Sequence, residues 1–153
     1  MYVVLRTQPV NSFFRFVGMV FSSTILCIDD DLDDLSFIQE AVKQHEIRFN
    51  VIEARDGEQA MDYLLQAKTN GSLPCLIIMD INMPKMDGKK AVQLIKADAH
   101  LSTIPLVIFT TSSSFTDKKY FEPFNVHYIT KPNHYAAFTK KVMEMLALHQ
   151  RLN

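Results

Sequence analysis

Apolar residues in this chain come in short unbroken runs, and between the runs they recur every third or fourth position. The first run, Thr24 to Ile28, halts at Asp29, Asp30 and Asp31, as expected of a strand buried on both faces. Leu35, Ile38, Ala41 and Val42 then follow at helical spacing, which predicts an amphipathic helix from Asp33 to about His45. Phe49 to Ala54 is a second strand. Asp56-Gly57-Glu58-Gln59 is a turn with a capping carboxylate, Ala60, Met61, Leu64 and Leu65 form the next helical stripe, and Asn70-Gly71 ends it. Cys75 to Met79 is a third continuous apolar run, closed by Asp80. After a loop over Met83 to Gly88, Ala91, Leu94 and Ile95 mark a third helix. Pro105 introduces a fourth strand, Leu106 to Phe109, which ends at Thr110. Thr116 to about Phe121 is a short helix cut by Pro123. Val126 to Thr130 is the fifth strand, stopped by Lys131-Pro132. The last helix runs from about Tyr135 to Leu148, with Phe138, Val142, Met145, Leu146 and His149 on one face. Five strands alternating with five helices predict an α/β fold: a doubly wound parallel sheet covered on both faces by right-handed crossovers. In such sheets ligands bind beyond the carboxyl ends of the strands, where the winding reverses.

Composition narrows the function. The 153 residues amount to one domain, and they divide into an N-terminal extension, 1–23, and a folded unit, 24–150. Sixteen basic against 17 acidic residues leave no cationic excess, so direct nucleic-acid binding is disfavoured. Cys27 and Cys75 lie apart in apolar runs and are expected to be buried free thiols in a reducing, cytoplasmic setting. The five histidines show no zinc-binding spacing. The stretch from Phe16 to Ile28 resembles a signal core, but Ser22, Ser23 and Thr24 interrupt it and no cleavage site follows. It is also shorter than the ~18–20 residues of a membrane span, so no membrane association is expected. Met19 is an alternative translation start, and on that reading the first eighteen residues are expected to be an extension of the reading frame. No effector segment follows the last helix, so output is expected to pass through another protein.

Chemistry collects at the strand ends. Strand one delivers Asp29 and Asp30, strand three Asp80, strand four Thr110 and strand five Lys131. Taken singly, each has a plain structural explanation: an acidic turn capping a helix, a strand-end cap, a surface turn. Taken together they form a set. Clustered carboxylates repel unless one is protonated or a cation is bound. An all-oxygen donor set favours a hard ion, and Mg²⁺ is the expected one. A cation, an ammonium and a hydroxyl donor around one carboxylate suit phosphoryl transfer, where positioning and charge stabilisation do most of the work.

Five stretches carry a family resemblance: Ile25 to Asp31, Asp56-Gly57, Ile77 to Gly88 with its D-x-N-M-P-x-M-D-G block, Phe109 to Ser112, and Tyr128 to Pro132. From Thr24 to Leu148 the chain resembles the receiver domain of a stand-alone response regulator of two-component signalling. The resemblance implies a flavodoxin-like (βα)5 fold with strand order 2-1-3-4-5. It implies that Asp80 accepts a phosphoryl group from a phosphohistidine. It implies that Asp30, Asp80 and the backbone carbonyl of Asn82 hold Mg²⁺ directly, and that Asp29 acts through a metal-bound water. Lys131 would pair with the phosphoryl oxygens across a cis peptide to Pro132. Thr110 would move to the phosphoryl group, Tyr128 would turn inward behind it, and Thr111 would help set access. The implied partners are a histidine kinase, hybrid or not, or a histidine phosphotransfer protein, together with a downstream protein target. The protein would be a monomer or a phosphorylation-dependent dimer, and not an enzyme beyond its own phosphorylation and slow dephosphorylation. The segment from Ser112 to His127 departs from the family, lacking its Gly-containing connection and crowding Phe115, Tyr120, Phe121 and Phe124 together as core packing or as a partner surface. Two rivals stand beside this reading: a receiver-fold adaptor that works without phosphorylation, and a haloacid-dehalogenase-type phosphatase using Asp29 of Asp29-x-Asp31 as nucleophile.

Overall fold

A computed structural model describes residues 23–45 and 49–151. The extension before Ser23 and the Met19 start lie outside the described residues. The elements are β1 (Ser23–Ile28), α1 (Leu32–Lys43), β2 (Phe49–Ala54), α2 (Gly57–Thr69), β3 (Leu76–Met79), α3 (Gly88–Ala97), a 3-10 turn (Leu101–Thr103), β4 (Leu106–Thr110), α4 (Phe115–Phe121), a second 3-10 turn (Glu122–Phe124), β5 (His127–Thr130) and α5 (Tyr135–Arg151). The strands form one sheet in the order β2-β1-β3-β4-β5, every pair parallel. This is the fold that the sequence predicts. Among the described residues no helix is long and apolar enough to cross a membrane.

Alternation along the buried strands splits the core into two layers. Leu26, Ile28, Ile77, Met79, Leu106 and Ile108 face α2, α3 and α4. Ile25, Cys27, Leu76, Ile78, Val107 and Phe109 face α1 and α5. The stripe of α1 is the predicted one: Leu35, Ile38, Ala41 and Val42 are all buried. Two stripes are rotated from expectation. In α2 Ala67 is buried while Leu65 is half exposed, and in α3 Val92 is buried rather than Leu94. The inward face of α2 is formed by Ala60, Leu64 and Ala67 and that of α3 by Ala91, Val92 and Ile95, which leaves Leu65 and Leu94 towards the rim. Cys27 is buried as expected, but Cys75, just before β3, is only half buried; both are free thiols.

Caps set the starts of the helices. Asp31 accepts the Asp33 and Asp34 amides, so α1 begins at Leu32 rather than Asp33. Asp56, Asp87 and Ser114 cap α2, α3 and α4 in the same way. The crowded aromatics resolve mainly into packing: Phe121 is buried, Tyr120 and Phe124 are packed against the core, and only Phe115 stands out in solvent.

Two features of the α3 region yield predictions. Gly88 opens α3 directly under β3, its amide donating to the Ile81 carbonyl at 2.8 Å. A Cβ there would fall 2.3 Å from the Asp80 carbonyl oxygen and 2.9 Å from the Ile81 Cα, both backbone atoms that cannot yield cheaply. Gly88→Ala is therefore expected to lower stability by about 1–3 kcal/mol, as overpacking does, read as a shift in urea midpoint. At the other end of α3, Asp98 accepts the Lys68 ammonium at 2.6 Å and the His100 and Leu101 amides at 2.9 and 3.1 Å. The Lys68 ammonium, with the two amides, holds its carboxyl down to about 2. A carboxylate depressed on folding contributes fully above its unfolded value near ~4, and that contribution fades as pH falls towards the folded value. Asp98→Asn should thus be less stable than the parent at pH 7, with the gap closing between pH ~4 and about 2 in denaturation curves taken across that range.

Candidate functional site

The strand register brings the predicted site residues together. Ile28 pairs with Met79, and the Asp80 amide donates to the Ile28 carbonyl at 2.9 Å, so Asp29 and Asp80 leave the sheet side by side. Thr110 pairs with Thr130, and the Lys131 amide donates to the Thr110 carbonyl at 2.7 Å. Order β2-β1-β3 makes β1/β3 the place where winding reverses, and the acids sit there. A slip of one residue in any strand would turn its terminal side chain to the opposite face.

Asp29, Asp80, Thr110 and Lys131 are buried, and Asp30 is exposed at the rim. One carboxylate oxygen each from Asp29, Asp30 and Asp80 lie within 4.8 Å of one another. Lys131 reaches across the sheet edge: its Nζ lies 2.6 Å from Asp29 Oδ2, 2.7 Å from Asp34 Oδ2 and 3.7 Å from Asp80 Oδ2. The other oxygen of Asp80 accepts the Ile81 amide at 2.7 Å. Burial pushes the Asp29 carboxyl up to about 6, against the pull of the Lys131 ammonium. Burial works against the charge on Lys131, but the carboxylates of Asp29, Asp80 and Asp34 outweigh it and raise its affinity for the proton. Hard oxygen donors this close together fit a divalent cation such as Mg²⁺ or Mn²⁺, with one ammonium already offsetting part of the charge. Asn82, two residues beyond Asp80, is exposed in the loop that follows.

The expected cis bond before Pro132 is absent: no described peptide is cis. Lys131 reaches the acids from a trans peptide, the form that X–Pro bonds favour by ~0.5–1 kcal/mol. Thr110 is fully buried, and its hydroxyl accepts the Ser112 amide at 3.3 Å. Tyr128 is half buried, with its hydroxyl donating to the Ser112 carbonyl at 2.9 Å. Thr111 is exposed.

Three contacts escaped the sequence reading. The first is Asp34 on Lys131. It sits at the third position of α1, where side chains lean back towards the helix N-terminus and hence the strand ends, a direction the sequence could have disclosed. The second is the pair between Lys85 and the buried Asp56: besides capping α2 through the Gln59 amide, as predicted, Asp56 accepts the Lys85 ammonium at 2.9 Å. The Gly57 amide donates to the Met86 carbonyl at 2.9 Å, so this turn ties down the loop between Asp80 and α3, in which Lys85 takes a left-handed φ of 60°. The Gln59 amide, then the Lys85 ammonium, hold the Asp56 carboxyl below the ordinary range. The third contact is a chain of charges: Asp117 of α4 accepts Ser112 Oγ at 2.6 Å and pairs with Lys89 of α3 at 2.6 Å. Spacing alone does not reveal such pairs between elements.

Comparison with known proteins agrees with this geometry. A profile of the response regulator receiver domain matches residues 25–143. The response regulator Rcp1 of Synechocystis sp. is 38% identical over 95 residues, covering 61% of this chain and 65% of that protein. The crystal structure of the phosphorylated cyanobacterial phytochrome response regulator RcpA superposes with a TM-score of 0.79 at 32% identity, over 85% of this chain and 95% of that one. The Mn²⁺-bound form of Rcp1 superposes at 0.74, also with 32% identity, over 82% and 92%. Profile, fold and the acidic pocket at the β1/β3 reversal together show that the chain belongs to the response regulator receiver domain family, the signalling modules of two-component systems.

Proposed function

We propose that Asp80 is the phospho-acceptor of a receiver that takes its phosphoryl group from the phosphohistidine of a histidine kinase or a phosphotransfer protein. One observation carries the reading: a buried carboxylate with two further acidic side chains within 4.8 Å and an ammonium 3.7 Å away. In the transfer, an Asp80 oxygen forms a bond to phosphorus as the P–N bond breaks, and that electron pair stays on the imidazole nitrogen. The Ile81 amide fixes one Asp80 oxygen, which orients the carboxylate. Lys131 lies close enough to shift onto the phosphoryl oxygens. Asp29, Asp30, Asp80 and the Asn82 carbonyl would hold Mg²⁺, which when bound offsets the charge of the carboxylates and the phosphoryl group.

Phosphorylation exchanges one negative charge for roughly two and adds acceptor oxygens. Thr110 is the buried hydroxyl beside the site, and its present partner is a long 3.3 Å bond from the Ser112 amide. Turning to the phosphoryl group would draw on the loop that Tyr128 holds through Ser112, biasing α4 and β5 towards a second arrangement. The receiver would then act in the cytoplasm on a protein target, or pass its phosphate onward, as a monomer or a phosphorylation-dependent dimer.

Incubation with labelled acetyl phosphate and Mg²⁺ tests this. The parent protein should acquire hydroxylamine-sensitive phosphate, and Asp80→Asn should lose at least nine-tenths of it (roughly a tenfold loss, about 1.4 kcal/mol in rate). Sequencing the trapped peptide identifies the acceptor; equal labelling of the variant, or label on Asp29, would refute the assignment.

A further inference from the structure

The geometry points to Asp34 as a positioning residue that holds the Lys131 ammonium on its own side of the pocket, against Asp29, and withholds it from Asp80 until a phosphoryl group competes it away. The inference rests on the phosphoryl-acceptor reading above and deepens it.

Lys131 Nζ has three donors, and two are committed, to Asp29 at 2.6 Å and to Asp34 at 2.7 Å. Its distance from Asp80 Oδ2, 3.7 Å, lies beyond hydrogen-bond range. The ammonium is therefore bound to two neighbours of the acceptor and not to the acceptor. Asp34 differs from the other acids around it. Its carboxylate is outside the Asp29, Asp30 and Asp80 cluster, so a cation gathered by those three leaves the Asp34–Lys131 contact in place. Its side chain keeps 21% of its exposure against 4% for Asp29, so solvent can take over its hydrogen bonds when Lys131 leaves. Its place on the first turn of α1, after the Asp31 cap, fixes the direction from which it pulls.

Two effects follow from that placement. An incoming phosphoryl group must detach Lys131 from a carboxylate, and it meets the negative charge of Asp34 as it arrives. Both oppose phosphoryl binding, so removal of the charge should strengthen it. Asp33 supplies a control, because it is an exposed acid one residue away that is tied to the turn by its backbone amide, which donates to Asp31.

The experiment uses the full chain at saturating Mg²⁺. Beryllofluoride binding is titrated by ¹⁹F NMR, and initial rates of labelling by acetyl phosphate are measured. In that labelling the Asp80 oxygen–phosphorus bond forms, and the acetyl oxygen–phosphorus bond breaks with its electron pair left on acetate. Asp34→Asn should bind beryllofluoride about three- to fivefold more tightly and label faster by a similar factor, the range expected of one partly exposed charge pair. Asp34→Glu should restore values near the parent, and Asp33→Asn should change them by less than about twofold. A merely structural role predicts weaker binding, not tighter. Unchanged or weaker binding in Asp34→Asn, or an equal gain in Asp33→Asn, would overturn the proposal. Should Asp34→Asn not fold, Asp34→Gln carries the same expectation. A parent protein that takes up neither beryllofluoride nor phosphate refutes the acceptor reading itself, whereas a labelled parent with an indifferent Asp34→Asn refutes the positioning role alone.

Discussion

Three carboxylates share one ammonium at the carboxyl edge of this sheet with a fourth crowded beside them, and much of the architecture holds them there. Asp29, Asp34 and Asp80 all lie within 4 Å of Lys131 Nζ, and Asp30 completes the acidic cluster. Two like charges about 4 Å apart repel by ~4 kcal/mol at the effective dielectric of a protein surface. The excess of negative charge is thus a standing cost to the fold, and it makes sense only where something positive is to be received. Asp29 illustrates the tension: burial pushes its carboxyl up to about 6 although an ammonium sits at 2.6 Å.

The sheet resists this repulsion through connections that lie outside the pocket. Asp29 and Asp80 are continuous with fully buried strands, whose two-sided packing fixes the register. Gly88 brings α3 onto the Asp80 peptide with no room for a side chain, and Asp56 anchors the same loop from the other side through Lys85 and the Met86 carbonyl. Asp80 is held by backbone on two sides, whereas Lys131, Thr110 and the loop after β4 are tied by polar contacts that can be exchanged. On the proposed reading, a fixed Asp80 with exchangeable partners would let added charge be answered by movement elsewhere.

This division also explains what could be read from the sequence. Apolar runs ending in Asp29, Asp80 and Thr110 disclosed three strands and most of the pocket, because burial on both faces leaves only the strand end for polar chemistry, while β5, half exposed, showed itself by the Lys131-Pro132 stop. Helix stripes were legible where large side chains face the core, as with Leu35 and Ile38, and misread where close packing put Ala67 or Val92 inward in place of a leucine. Pairings between elements stayed hidden. Asp34 with Lys131, Asp56 with Lys85 and Asp117 with Lys89 join residues 97, 29 and 28 positions apart, and only the tertiary arrangement brings them into contact. The trans peptide before Pro132 belongs to the same group, since local sequence permits either isomer and the surroundings decide.

These hidden pairs give a physical route from the pocket to the surface. Thr110 contacts the Ser112 amide, the Ser112 carbonyl holds Tyr128, and the Ser112 hydroxyl holds Asp117, which is paired with Lys89 on α3. Three contacts of that loop pass through Ser112, by its amide, its carbonyl and its hydroxyl, so a displacement of Thr110 would bear on both Tyr128 and α4. The loop has little apolar burial to hold it otherwise: Thr111, Ser114 and Phe115 are all exposed. A segment fixed mainly by polar contacts can exchange one set of partners for another with small net change in energy, whereas the buried faces of β3 and β4 cannot. On the proposed reading, the same contrast would favour α4 and β5, beside the exposed Phe115, as the surface that phosphorylation alters, over the α1 and α2 helix bodies, whose apolar stripes are committed to the core.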